Sequence, residues 1–245
     1  MSRAESPFAS PETAAQWTRG LLVVTLGLCV IGIASDLSEV VLFFQATTRG
    51  ISDADAAAND SRQWLIGMLH LVSFLGTSLA FLSWLHRANQ NLPSLGNRDL
   101  KYTPGWAVGG FFVPFLNLVQ PFRVMRELWH GSDPTGLERD LSSGRPPIRD
   151  QLAAPPMLVG WWACFLLSAF FGRVAARLAG STVEQLQLVS VMQVVSDVLE
   201  VPSVVLAITL VGRITEWQTE RAELLRQRGG QPLGNAPIDP SPALG

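Results

Sequence analysis

Charge is what this chain has least of. Of its 245 residues only 16% are Asp, Glu, Lys or Arg, against 48% hydrophobic ones, and the mean hydropathy is +0.26. Soluble domains average about 25% charged residues, so the deficit points to a chain embedded in a bilayer. What charge remains is nearly balanced, a net −2, and gives no reason to expect nucleic acid as a partner. Cysteine is limited to Cys29 and Cys164, both inside apolar runs where a thiol packs as a small apolar group. There are three histidines, and no Cys-His cluster with zinc spacing exists. A phosphate-cradling Gly loop, a Gly-x-Ser-x-Gly elbow and a His-Glu-x-x-His helix are missing as well. No catalytic residue is assigned, and no cofactor or metal is specified.

Long apolar runs are what the chain does have. Four of them, at about 20–44, 64–85, 156–172 and 188–212, are long enough to cross a hydrocarbon core of roughly 30 Å as helices. Arg19 and the run behind it have the outline of a signal peptide. The apolar stretch resumes at Val40 and three more follow, so a retained first span is expected. A fifth stretch, 104–130, is interrupted by Pro104, Pro114 and Pro121. Proline removes a backbone donor and breaks the helix ladder, so this stretch reads as a re-entrant or interfacial helical element buried against the spans. If it does not cross, 14 of the 18 Lys and Arg residues share one side with both termini and 4 lie opposite. If it does, the division is 7 against 11 with the N-terminus inside. The positive-inside rule therefore selects four spans with both termini cytoplasmic.

The ends read as tails. Residues 1–14 and 229–245, polar and rich in Pro or Gly, are expected to be disordered, flanking a single helical membrane domain at 15–228. The last helix is expected to run beyond the bilayer, with Glu216, Glu220, Glu223, Arg221, Arg226 and Arg228 on a solvated face. Trp84, Trp106 and Trp129 are expected in a cytoplasmic-side aromatic belt. Arg123, Arg126, Arg139, Arg145 and Arg149 fit either headgroup contact or dispersed positive-inside charge.

The most distinctive block begins at Trp84 and runs through Arg87-Ala88, Asn91-Leu92 and Pro104-Gly105-Trp106-Ala107-Val108. It continues with Phe112-Val113-Pro114-Phe115-Leu116-Asn117-Leu118, Pro121-Phe122-Arg123-Val124-Met125 and Glu127-Leu128-Trp129, ending at Ser132-Asp133-Pro134. This pattern resembles the bacterial multi-pass membrane family known as domain of unknown function 4328 (DUF4328), over about residues 64–213 and with the first span expected to belong to it. The resemblance implies an integral protein of the bacterial cell membrane and brings no reaction, substrate or catalytic residue. Arg87, Asn91 and Asn117 are expected to satisfy backbone groups freed by the prolines.

Carboxylates inside the spans are the sharpest functional clue. Ser35-Asp36-Leu37-Ser38-Glu39-Val40 in the first span returns as Ser196-Asp197-Val198-Leu199-Glu200-Val201 in the last. A charge at a helix centre costs roughly 2.5–3.5 kcal/mol on insertion scales. In the first span the acids share a face with Thr25, Cys29 and Gly32; in the last, with Ser190, Gln193 and Ala207. The two helices run in opposite directions, so both pairs fall in the outer half. His70, on a Gln63-Gly67-His70-Thr77 face, and Arg173 and Arg177 at the end of the third span reach the same level. Three readings follow. The arginines and His70 neutralise the acids in a structural network, as in a non-enzymatic scaffold that binds the bilayer and a membrane-protein partner or a second copy. The acids and His70 bind protons or cations, as in a small transporter or channel. Or the acids sit at a hydrated interface with little role. A membrane-embedded enzyme would need a nucleophile or metal geometry that no spacing here suggests.

Overall fold

A three-residue turn decides how the first two helices meet. The computed structural model describes residues 7–97, 100–137, 152–178 and 182–230. In it α1 spans Glu12–Arg49 and α2 Asp53–Asn91. Gly50, at φ 74°, takes the left-handed conformation that ends α1, and its N–H donates to the Ala46 carbonyl. Ser52 caps α2, its hydroxyl oxygen accepting the Asp55 N–H at 3.1 Å. Next come α3 (Pro104–Gly109), a 3-10 turn (Leu116–Leu118), α4 (Gln120–Ser132), α5 (Pro156–Arg177) and α6 (Val183–Gly230), with no strand among the described residues. Four of these helices, α1, α2, α5 and α6, are long and apolar enough to cross a membrane. This is an all-α, four-span membrane fold.

The helices outrun the apolar runs that announced them. Hydropathy marks where apolar side chains stop, whereas residues 45–63 keep good helix formers and a strong cap, so α1 and α2 continue well beyond 44 and start well before 64. The expected tail at 1–14 is shorter than its sequence suggests. α1 begins at Glu12, and the Asn91 side chain holds Ala9 at two points: the Ala9 N–H donates to Oδ1 (3.2 Å) and Nδ2 donates to the Ala9 carbonyl (2.8 Å). α6 reaches Gly230, so the second tail starts no earlier than 231; residues 1–6 and 231–245 lie outside the described residues.

Neighbouring spans run in the order α2, α1, α6, α5. The reason is legible in a 4-3 spacing of inward positions. On α1 the inward residues Ala15, Thr18, Leu22, Thr25, Cys29, Gly32 and Asp36 step by three and four. On α6 Ser190, Asp197, Val204, Val211 and Gln218 recur every seven residues, with Ala207 and Ile214 between them and Arg221 three residues beyond Gln218. Two such stripes pack antiparallel along one seam. Its register is plain: Phe43 meets Gln187, Glu39 meets Ser190, Gly32 meets Asp197, and Arg19 lies against Gly212. α5 joins the other side of α6 through its small residues. A Cβ on Gly160 would lie 3.3 Å from Leu206, and one on Gly172 3.2 Å from Ser196 Oγ.

The hydrophobic core sits at the end of the bundle where α1 begins and α6 ends, called here the proximal end. It is built from Leu22, Trp84, Leu85, Leu128, Leu158, Trp161 and Val211 among others. Trp84 is fully buried and donates to Thr215 Oγ1 at 3.0 Å, so it is a core residue and not part of an aromatic belt. Its position four residues before Ala88 puts it on the packed face of α2, which depth alone does not reveal. Trp129 packs edge-on against Trp217 at 4.5 Å, whereas Trp106, Trp17 and Trp64 are exposed. Arg221 departs from the solvated-face expectation: it is fully buried, and its guanidinium donates to the carbonyls of Leu95 (2.8 Å) and Asp133 (2.7 Å). It lies on the same seven-residue stripe as Ile214, which carries it inward despite its charge. Arg226 fits the expectation; it pairs with Glu223 one turn away.

The proline-broken stretch forms a helical hairpin that returns to the proximal side. Thr103 caps α3, with Pro104 in its first turn, and Pro121 opens α4. Between them the chain reverses at Pro114–Phe115, where Phe115 is held at φ 65°. Gln120 closes the hairpin by donating to the Trp106 carbonyl at 2.7 Å. Its side chain occupies the space a Cβ on Gly110 would need. This role falls to Gln120 and not to the expected residues: Arg87 is exposed, Asn117 is half-buried, and Asn91 serves Ala9 and Gln218. Glu127, buried on α4, accepts the N–H groups of Lys101 (2.8 Å) and Tyr102 (3.4 Å) and so anchors the chain entering the hairpin. Arg139, Arg145 and Arg149 lie outside the described residues.

Truncating Arg221 to Ala strands the buried Leu95 carbonyl and the half-buried Asp133 carbonyl at once. Arg221→Ala should lose about 2–4 kcal/mol in thermal or denaturant unfolding in detergent, while Arg226→Ala should stay within about 0.5 kcal/mol. Equal effects would contradict the inward placement of Arg221.

Candidate functional site

At the opposite, distal end the seam turns polar. The positions that hold Leu22 and Val211 proximally are taken by Gly32, Asp36, Asp197 and Glu200, so the repeat that shapes the core also brings the acids inward. Asp36 and Asp197 are both buried, at 5% and 4% exposure, and Glu39 and Glu200 are half-buried.

Each acid has a defined neighbourhood. The carboxyl groups of Asp36 and Asp197 face each other across the seam. Asp36 Oδ1 accepts Gln63 Nε2 at 3.2 Å, but Asp36 Oδ2 is buried with no hydrogen-bond partner. Asp197 Oδ1 accepts Gln193 Nε2 at 2.9 Å. Glu39 is bonded from both flanking helices, by Asn59 Nδ2 (2.9 Å) and by Ser190 Oγ (2.8 Å). Glu200 meets the thiol of Cys29. His70 lies against Gly32 together with Asp197, and its Nε2 is buried without a partner. Below this level a hydroxyl trio continues the polar stripe: Thr25 Oγ1 is 2.8 Å from Ser73 and 3.1 Å from Thr77. Pro202 lies two residues past Glu200 and offers no N–H to the Val198 carbonyl, so α6 lacks one rung beside the site.

The arginines placed at this level by sequence do not join it. Arg173 and Arg177 are exposed, and Arg173 donates to the Ala169 carbonyl of its own helix. Their i, i+4 spacing sets depth and mutual proximity but not direction; the face of α5 that packs on α6 is the Ser168–Gly172–Ala175 side. Gly67 is likewise turned outward, with open space around it. A different cation, Arg62 on α2, reaches the rim of the cluster. Its Nε donates to Ser35 Oγ (3.0 Å) and its Nη2 to Asn59 Oδ1 (2.6 Å), so neutral side chains stand between it and the acids. Sequence reasoning missed Asn59, Arg62 and Pro202. The available signal was that Asn59 and Gln63 stand four apart on the face of α2 that continues to His70 and Thr77.

The family described as Domain of unknown function (DUF4328) matches residues 47–216. The match covers α2 through most of α6 and leaves out α1, contrary to the expectation that the first span is part of it. No curated protein and no solved structure matches.

Gly32 is the point at which the site tolerates least. A Cβ there would lie 2.8 Å from Asp197 Oδ2 and 3.3 Å from His70 Cε1. Gly32→Ala should therefore displace both groups and destabilise the protein by about 1–3 kcal/mol. At Gly27, where nothing lies within 4 Å, Gly27→Ala should be neutral or slightly stabilising. Thermal unfolding of the two variants in detergent checks this; indistinguishable midpoints would refute the close approach at Gly32.

Proposed function

The chain belongs to the DUF4328 family, and we propose that the distal polar cluster is a proton site in a proton-coupled membrane transporter. The observation that carries this reading is the Asp36–Asp197 pair. Two carboxylates in contact repel, and at membrane depth nothing screens them. One proton between them converts the contact into an O–H···O hydrogen bond and supplies the donor that Asp36 Oδ2 lacks. His70, adjacent to Asp197 and with a free buried nitrogen, is suited to exchange that proton. A metal ion is less well served: among the described residues no three His, Cys, Asp or Glu side chains are grouped to hold one. The proximal seam is apolar through Leu22, Val204, Ala207 and Val211, which supports a site loaded from the distal end and coupled to helix movement over an open channel.

In reconstituted vesicles, acidifying the distal side should raise the carboxylic C=O stretch in infrared difference spectra. Asp36→Asn and Asp197→Asn should each remove that band, and the wild type alone should carry proton flux above that of empty vesicles. No acid-dependent band and no flux above background would sink the proposal.

A partner-binding scaffold is the second reading, and α2 favours it. Only 6% of its most apolar window is buried, against 33% for α1 and 39% for α6. Such a face suits lipid, a membrane-protein partner or a second copy. We further infer that the proximal end, with most of the Lys and Arg, faces the cytoplasm of a bacterial inner membrane. Two single-cysteine variants test these points. Ser52→Cys should react with an impermeant reagent from outside, and Met68→Cys should crosslink to a second copy in membranes. Labelling of Ser52→Cys only after lysis would reverse the orientation, and a Met68→Cys that stays monomeric would remove the second copy.

A further inference from the structure

Arg87 stands apart from the motif that contains it. Ala88, Asn91 and Leu92 are buried in the proximal core, while Arg87 is exposed and meets no carboxylate among the described residues. It points into a groove of about 580 Å³ between the start of α1 and the end of α2. The lining changes character along the groove. Arg87, Ser83, Ser10 and Thr13 occupy the outer end; Leu79 and Leu21 line the end that enters the span. Arg87 to Leu79 on α2 and Thr13 to Leu21 on α1 are eight residues each. At 1.5 Å per residue, charge therefore gives way to hydrocarbon over roughly 12 Å. Trp17, 69% exposed, lies midway, at the level where indoles settle between headgroups and acyl chains.

We propose that this groove binds an anionic phospholipid of the proximal leaflet. The Arg87 fork takes the phosphate, since a guanidinium matches two phosphate oxygens at once. The Ser10 hydroxyl oxygen accepts the Glu12 N–H (3.2 Å), which leaves its O–H to donate. Ser83 spends its O–H on the Leu79 carbonyl (2.7 Å), so its oxygen is left to accept from a polyol headgroup. The acyl chain lies along Leu79 and Leu21. A zwitterionic choline lipid offers the same phosphate but adds a cation beside Arg87 and no hydroxyl for Ser83. The groove thus favours a phosphatidylglycerol-type headgroup. Glu12 is exposed on the first turn of α1 and is not part of the lining.

The test uses full-length protein in detergent, titrated with brominated phosphatidylglycerol or phosphatidylcholine, with quenching of Trp17 read as the difference from Trp17→Phe. Phosphatidylglycerol should bind about fivefold or more tightly than phosphatidylcholine. Arg87→Gln should abolish the difference, and Arg87→Lys should keep part of it. Leu79→Asn should weaken both lipids alike, which keeps the groove testable if Arg87→Gln unfolds. Free glycerol phosphate should not compete. Equal affinity for the two lipids, or a preference unchanged in Arg87→Gln and Leu79→Asn, overturns the proposal. Competition by glycerol phosphate at matching concentrations would make this a soluble-anion site instead.

Discussion

Everything in this structure depends on the antiparallel seam between α1 and α6. Within their apolar stretches both helices are apolar on most sides apart from that seam, so they have no reason to prefer one face unless the face carries something lipid cannot accept. Thr25, Gly32 and Asp36 on one helix and Ser190, Asp197 and Glu200 on the other supply that reason. Hydrocarbon outside is as apolar as leucine, so polar and small residues decide which surfaces meet. The usual amphipathic rule is thereby inverted, and α2 and α5 are placed by what the central pair leaves to be covered.

The two halves of the seam solve different problems. Proximally, large apolar groups close the interior, and Gln218 ties α6 to its neighbours: its Nε2 reaches the Ala88 carbonyl and Ser132, and its Oε1 accepts from Asn91. Polar side chains become mortar between segments far apart in sequence. The amide of buried Asn89 has no partner. Distally the same positions hold carboxyl groups whose bonding is incomplete, with Asp36 Oδ2 and His70 Nε2 lacking donor or acceptor. What sets the distal cluster apart is the kind of group left unpartnered: a carboxyl oxygen and an imidazole nitrogen, which can exchange protons, where the proximal end leaves amide and guanidinium groups, which do not.

Much of this was legible in the chain itself. Apolar runs reveal spans because insertion demands them, and the 4-3 spacing of Thr25, Cys29, Gly32, Asp36 and Glu39 picked the inward face of α1 correctly. What stayed hidden was azimuth and partnership. Arg173 and Arg177 share the right depth but the wrong side of α5, and Trp84 shares the depth of a belt residue while facing the core. Arg221 carries the sign of a solvated residue yet follows the inward stripe of α6, a fact visible only once Ile214 and Gln218 are known to face in. Arg62 lies beyond the apolar run of α2, so hydropathy gives no sign that it sits on the helix beside the cluster.

The turn at Gly50–Ser52 has a consequence for the acids of α1. With three residues between them, α1 and α2 form one hairpin whose arms lie side by side. Within that hairpin Asn59 already reaches Glu39, and Gln63 already reaches Ser35 and Asp36. The acids of α1 therefore find hydrogen-bond partners within the hairpin itself, on the helix that follows them directly in sequence.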